Sequence, residues 1–158
     1  MHANQQLIQQ LYACFSRKDY RGMAACYHPD ATFADGVFDT RGKGIAAMWH
    51  MLCESAKDLS IQCNHTEANA TRGTAEWEAF YTFSRTGRKV HNRLRAQFAF
   101  QDGQIIQHRD AFRFWRWASM ALGPTGTFLG WTPLVRNGVR KTAAENLKKF
   151  VAKHPQYQ

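Results

Sequence analysis

The spacing of apolar residues changes once along this chain, and that change limits the folds open to it. Leu7, Ile8, Leu11, Tyr12 and Phe15 recur at helical intervals, giving an amphipathic helix over about residues 4–17. Asp19 is placed to cap a short second helix carrying Met23, Ala24 and Tyr27, which His28-Pro29-Asp30 should end because proline disfavours helix in its predecessor. Ile45, Met48, Trp49, Leu52 and Ala56 mark a third helix over about residues 43–58. From Ser60 the period becomes two, predicting strands over 60–70, 74–84, 89–101 and 104–114. Arg85-Thr86-Gly87-Arg88 and Asp102-Gly103 read as the hairpin turns between the last three. Helices followed by consecutive antiparallel strands imply an α+β architecture rather than repeated βαβ units.

Strand alternation assigns faces. Leu94, Ala96, Phe98 and Phe100 share one side, with Arg93, Arg95 and Gln97 opposite; Trp77, Ala79, Tyr81 and Phe83 oppose Glu76 and Glu78. A hairpin closing at Arg85–Arg88 would set Glu78 across from Arg95 on the outer face. In the last strand Ile106, His108, Asp110, Phe112 and Phe114 fall together, so an acid and a histidine stand in apolar company. Beyond it, residues 115–122 read as helical and a glycine-broken apolar segment runs to Trp131. Thr142-Ala143-Ala144-Glu145 then matches a capping box before the stripe Leu147, Phe150 and Val151.

A length of 158 residues suits one domain with a full core, and the hydrophobic fraction of 44% is that of a globular chain. No apolar run approaches the roughly 20 residues of a membrane-spanning helix, and MHANQQLIQQL lacks the pattern of a secretory signal. The expectation is a soluble, cytoplasmic protein whose cysteines, Cys14, Cys26, Cys53 and Cys63, are buried free thiols. The net charge of +9 has no nucleic-acid signature beside it, so a solvated cationic face is expected and nucleic acid is not; an acidic partner or an anionic lipid surface met by the basic C-terminal helix is the alternative. Cys63-x-His65 and His108-x-Asp110 each offer only two ligands, so no metal site is expected, and Gly123, Gly126 and Gly130 do not form a dinucleotide fingerprint.

The stretch HPDATFADG places Asp35 two residues after Phe33, on the same strand face. Two readings stay open for it: a carboxylate in an apolar hollow, or a turn aspartate bonded to backbone before Gly36. Asp110 likewise is either an acid–base group or a structural partner of His108, and His108 either a proton-transfer partner or a satisfied core histidine.

The ordered run of a first helix, DYRGMAACYHPDATFADGVF, RGKGIAAMW and strands ending in HRDAFRF resembles the SnoaL-like, ketosteroid isomerase-like branch of the nuclear transport factor two-like superfamily. The resemblance implies a cone-shaped, cystatin-like α+β roll: a curved mixed or antiparallel sheet wrapped around three helices, with an apolar pocket and homodimers through the outer sheet face. On that basis residues 1–135 form the roll domain and 136–158 a C-terminal helical extension of it. Asp35 matches the proton-abstracting aspartate of ketosteroid isomerases, and Asp110 the late-strand acid–base aspartate of polyketide cyclases and epoxide hydrolases. The oxyanion tyrosine position falls on Leu11, beside Tyr12, and the second aspartate on Ala96, so steroid isomerisation is not implied. An Asp–Arg–Asp relay would need Arg93 or Arg95 inside, against their alternation.

The resulting expectation is a cofactor-free isomerase, cyclase or hydrolase for a small apolar molecule. Asp110, His108 and Asp35 are its catalytic candidates, and Phe33, Trp49, Trp77, Tyr81, Phe98 and Phe112 line its pocket. The alternative is a noncatalytic ligand-binding or protein-interaction module of the same fold.

Overall fold

The computed structural model describes residues 1–158. Helices α1 (Ala3–Ser16), α2 (Tyr20–Ala25) and α3 (Lys43–Ser55) lie within the curve of a six-stranded sheet. The strands are β1 (Tyr27–Ala34), β2 (Asp39–Arg41), β3 (Ser60–Ala68), β4 (Arg72–Phe83), β5 (Arg88–Gln101) and β6 (Gln104–Ala111). Their spatial order is β2-β1-β6-β5-β4-β3; β1 pairs parallel to β6 and every other pair is antiparallel. This is the mixed, curved sheet of an α+β roll with a helical extension: α4 (Phe114–Leu122), α5 (Pro124–Leu129) and α6 (Pro133–Ala152). No helix is long and apolar enough to cross a membrane.

Local chemistry explains most element ends. The Asp19 carboxylate accepts from the Gly22 N–H at 2.9 Å, capping α2. Asn4 on α1 donates to the carbonyls of Asn69 and Ala70 at 2.9 and 3.1 Å, pinning the helix to the β3–β4 turn. The β5–β6 hairpin has a two-residue turn, Asp102-Gly103, both at positive φ as a type I′ turn requires. Ile8, Leu11 and Phe15 from α1, Met48 and Trp49 from α3, and Trp77, Leu94, Ala96 and Phe98 from the sheet close one core.

Several expectations are corrected. Tyr27 begins β1 rather than ending α2, and the strand continues through Pro29 because the β1–β6 register shifts between Tyr27 and Thr32. A bulge leaves the proline without a ladder bond to lose there. The β4–β5 hairpin closes at Phe83–Arg88, one residue earlier than expected, so each partner moves by two: Glu78 faces Arg93 and Glu76 faces Arg95. In β6 one extra residue sits between Ile105 and Gln107, which buries Ile105 and leaves Ile106 half-buried, against the alternation. Helix α3 ends at Ser55, short of Asp58. Cys63 is exposed on β3, whereas Cys14, Cys26 and Cys53 are buried. The C-terminal helix starts nine residues before Thr142, at Pro133, and is capped by Thr132; Thr142 lies inside it, and none of its residues is fully buried.

Candidate functional site

The open end of the roll holds a cavity of about 580 Å³ with mostly apolar walls. Strands β4, β5 and β6 and the segment after β6 supply Trp77, Tyr81, Leu94, Asp110 and Phe112; the β1–β2 turn supplies Asp35, and α3 supplies Trp49. The extension, unassigned from sequence, closes the remaining side. Residues Val139, Thr142, Ala143, Asn146 and Phe150 recur along one stripe of α6 and face the cavity, and Trp117 of α4 joins them.

Asp110 lies on β6 opposite Ala96 of β5, and its side chain is almost wholly buried. Its Oδ1 accepts from Trp77 Nε1–H at 3.2 Å and from His108 Nε2 at 3.1 Å, while Oδ2 takes no hydrogen bond from the protein. Behind it runs a chain with one consistent direction. Trp49 Nε1, which can only donate, reaches the Tyr27 hydroxyl at 3.2 Å, and that hydroxyl lies 2.8 Å from His108 Nδ1. Burial drives the Tyr27 pKa well above the ordinary phenol value, so it keeps its proton. Tyr27 therefore donates to Nδ1, and the imidazole carries its own proton on Nε2 and donates it to Asp110. His108 is fully buried among Phe33, Phe98 and Tyr27 and does not reach the cavity.

Asp35 satisfies both open readings at once. Its Oδ1 accepts from the backbone N–H of Val37 and Phe38 at 2.9 and 2.7 Å, an Asx-type turn, while the side chain lines the cavity. Burial pushes its pKa up to about 6; the two backbone N–H groups oppose the rise, and the negative charge of Asp110 adds to it. Near it, Tyr81 accepts from Trp117 Nε1–H at 2.8 Å and has no protein acceptor for its own proton. Burial, together with the charge of Asp35, raises its pKa as well, so the proton is retained.

Four of the six expected pocket residues, Trp49, Trp77, Tyr81 and Phe112, line the cavity. Phe33 and Phe98 do not: both pack edge-on or tilted against His108 in the core beneath it. Tyr12 is not on the cavity wall either. Its ring lies against Trp77, and its hydroxyl is the one fully buried side-chain polar atom without a partner. Arg93 and Arg95 are exposed and paired with Glu78 and Glu76, so no arginine bridges the two aspartates. Sequence reading missed Asn92, a buried cavity residue whose parity with Leu94 and Ala96 marks it, and Tyr27, hidden by its assignment to a helix. No group of three or more potential metal ligands is present.

Solved structures share this fold at low identity. A protein of ketosteroid isomerase-like fold from Catenulispora acidiphila, in complex with trimethylamine, has a TM-score of 0.67 at 11% identity, covering 80% of this chain and 97% of its own. An LEH-like epoxide hydrolase from M. tuberculosis has 0.65 at 15%, covering 76% and 90%. A putative polyketide cyclase from Xanthomonas campestris pv. campestris has 0.62 at 22%, covering 74% and 98%. None of the curated proteins compared matches the sequence. The family model for the SnoaL-like domain matches residues 8–108, from α1 through the histidine behind Asp110 and well over half of the chain, and the chain therefore belongs to the SnoaL-like family.

Proposed function

We propose that the protein is a cofactor-independent acid–base enzyme acting on a small, largely apolar molecule. The observation that carries this reading is the half-bonded carboxylate of Asp110. One oxygen is fixed by Trp77 and His108, and the other is free beside an apolar cavity of about 580 Å³. A carboxylate so oriented and poorly hydrated is suited to take a proton from a substrate carbon or from water. Asp35, with a pKa near 6, is protonated in part near neutrality and is placed to return one. Tyr81 would donate its free proton to a substrate oxygen, and His108 acts as a positioning residue. Isomerisation, aldol cyclisation and water addition all need these steps, and the similar folds include an epoxide hydrolase and a putative polyketide cyclase. A homodimer through the outer sheet face belongs to the same reading.

One observation favours a noncatalytic ligand-binding module instead. Tyr12 and Ala96, the positions nearest an oxyanion site by resemblance, give the cavity no donor. Solvent-deuterium incorporation into a panel of small apolar carbonyl compounds and epoxides, followed by NMR, separates the two. The enzyme reading expects exchange or hydration that Asp110→Asn lowers by at least about 100-fold while calorimetric binding persists. Binding without turnover in the wild type would establish the module instead.

A further inference from the structure

The corner where α4, α5 and α6 meet is built inside out. Gly126 on α5 lies so close to α4 that a Cβ there would overlap the Ala118 carbonyl, and Gly130 is pressed on the Ala118 side chain. The glycine face of α5 is thus the buried one, and its bulky residues are turned outward. Phe128 is 73% exposed, Trp131 73% and Leu134 80%, with Leu129 and Trp115 about half exposed. They form one patch: Trp115 Nε1 donates to the Thr127 carbonyl and Trp131 Nε1 to the Phe128 carbonyl, both at 3.0 Å.

Charge is distributed around this corner with one sign. From Ala111 to Ala144 there is no aspartate or glutamate, while Arg113, Arg116, Arg136, Arg140 and Lys141 are all exposed. Residues 111–158 carry eight lysines and arginines against the single acid Glu145, about seven of the nine net positive charges. Leu134, Lys141 and Lys148 follow one another at intervals of seven along the face of α6 turned away from the cavity, extending the apolar corner into a stripe of net positive charge in which Glu145, between the two lysines, is the one acid.

We propose that this corner docks the protein onto an anionic lipid surface. Tryptophan, phenylalanine and leucine would enter the headgroup boundary while the surrounding arginines and lysines meet lipid phosphates. A second copy of the chain is the poorer occupant, since it would bring the same cations against themselves. An acidic protein would satisfy the charge but leaves protruding indole and phenyl groups unaccounted for.

The test is co-sedimentation and tryptophan emission with vesicles of phosphatidylcholine alone and of phosphatidylcholine containing about 30% phosphatidylglycerol. Binding to the anionic vesicles only, weakened by salt and accompanied by a blue shift, is the expected result. The paired replacement Phe128→Ser with Trp131→Ser should weaken binding at least about tenfold and abolish most of the shift. Lys141→Glu with Lys148→Glu should weaken it by a similar factor. All four side chains are exposed and outside the cavity, so circular dichroism of the variants should match the wild type. No association with either vesicle overturns the proposal. So does anionic-vesicle binding indifferent to Phe128 and Trp131, or equal competition by soluble polyglutamate without a blue shift, which would assign the patch to an acidic macromolecule. Concentration-dependent dimers lost on Phe128→Ser, without lipid binding, would assign it to a second copy.

Discussion

Asp110 and Asp35 stand in the same relation to the cavity: each ties its Oδ1 to two protein N–H donors and leaves Oδ2 without a protein partner. For Asp110 the donors are Trp77 and His108 side chains, and for Asp35 they are the backbone amides of Val37 and Phe38. The two carboxylates are close enough for the charge of Asp110 to raise the pKa of Asp35. Fixing one oxygen orients the group; the proposed chemistry would use the other.

The raised pKa of Asp35 has a consequence for stability. Its carboxyl moves from an ordinary value near 3.8 to about 6 on folding, so between those values the folded state binds more protons than the unfolded one. Stability from this group is present below the unfolded value and is lost as pH rises through about 6. A shift of two units corresponds to about 2–3 kcal/mol at neutral pH. Asp35→Asn keeps an oxygen acceptor for Val37 and Phe38 and removes the charge. It should therefore stabilise by about 1 kcal/mol near pH 8 and by close to nothing near about pH 4, measured as urea midpoints. Equal effects at both pH values would contradict the assigned burial.

Two tyrosines should respond oppositely to loss of the hydroxyl. Tyr27 is bonded to Trp49 and His108, so Tyr27→Phe leaves a buried indole N–H and an imidazole nitrogen without partners and should cost about 1–3 kcal/mol. The Tyr12 hydroxyl is buried with no partner, so Tyr12→Phe should be neutral or stabilising by up to about 1 kcal/mol. Chemical denaturation of the two variants side by side reads the difference. A costly Tyr12→Phe would mean that its hydroxyl is engaged in solution.

Helix α6 is attached along its length, with Val135 and Val139 against the α4 cluster and Leu147 against the main core. Two turns in, Arg140 Nε donates to the Gly36 carbonyl at 2.6 Å. At its finish Phe150 stacks on His154, and His50 of α3 bonds Tyr157 at 3.0 Å and Glu54 at 2.7 Å. With no fully buried residue the helix should open independently of the sheet. Phe150→Ala should speed hydrogen exchange of α6 amides by about tenfold while leaving β4 and β5 unchanged. Uniform acceleration across the chain would show that α6 unfolds only with the core.

The thiols give a simple count. Cys63 is exposed, while burial pushes Cys26 up to about 12 and Cys53 up to about 11. A disulfide reagent should modify one of the four thiols in the native protein and all four in denaturant. Cys63→Ser should abolish the native reaction.

Much of the roll was legible because alternation and helical spacing are local properties. The inward faces of β4 and β5, the Asp19 cap and the Asp102-Gly103 turn follow from neighbours within a few residues. Register was not, since moving the β4–β5 turn by one residue exchanges Arg95 for Arg93 opposite Glu78, and one extra residue in β6 replaces Ile106 by Ile105 in the core.

The sequence by itself determined that Asp110 and His108 share a face with the strands' apolar residues, because two residues on a strand restore the same side. Only the tertiary structure decided that they do different things. Asp110 reaches the cavity while His108 is sealed behind it by Phe33, Phe98 and Tyr27. The same holds for Asp35, whose turn and whose burial are compatible only once α6 and β4 enclose it. Local pattern specifies which way a side chain points; what it meets there depends on segments a hundred residues away.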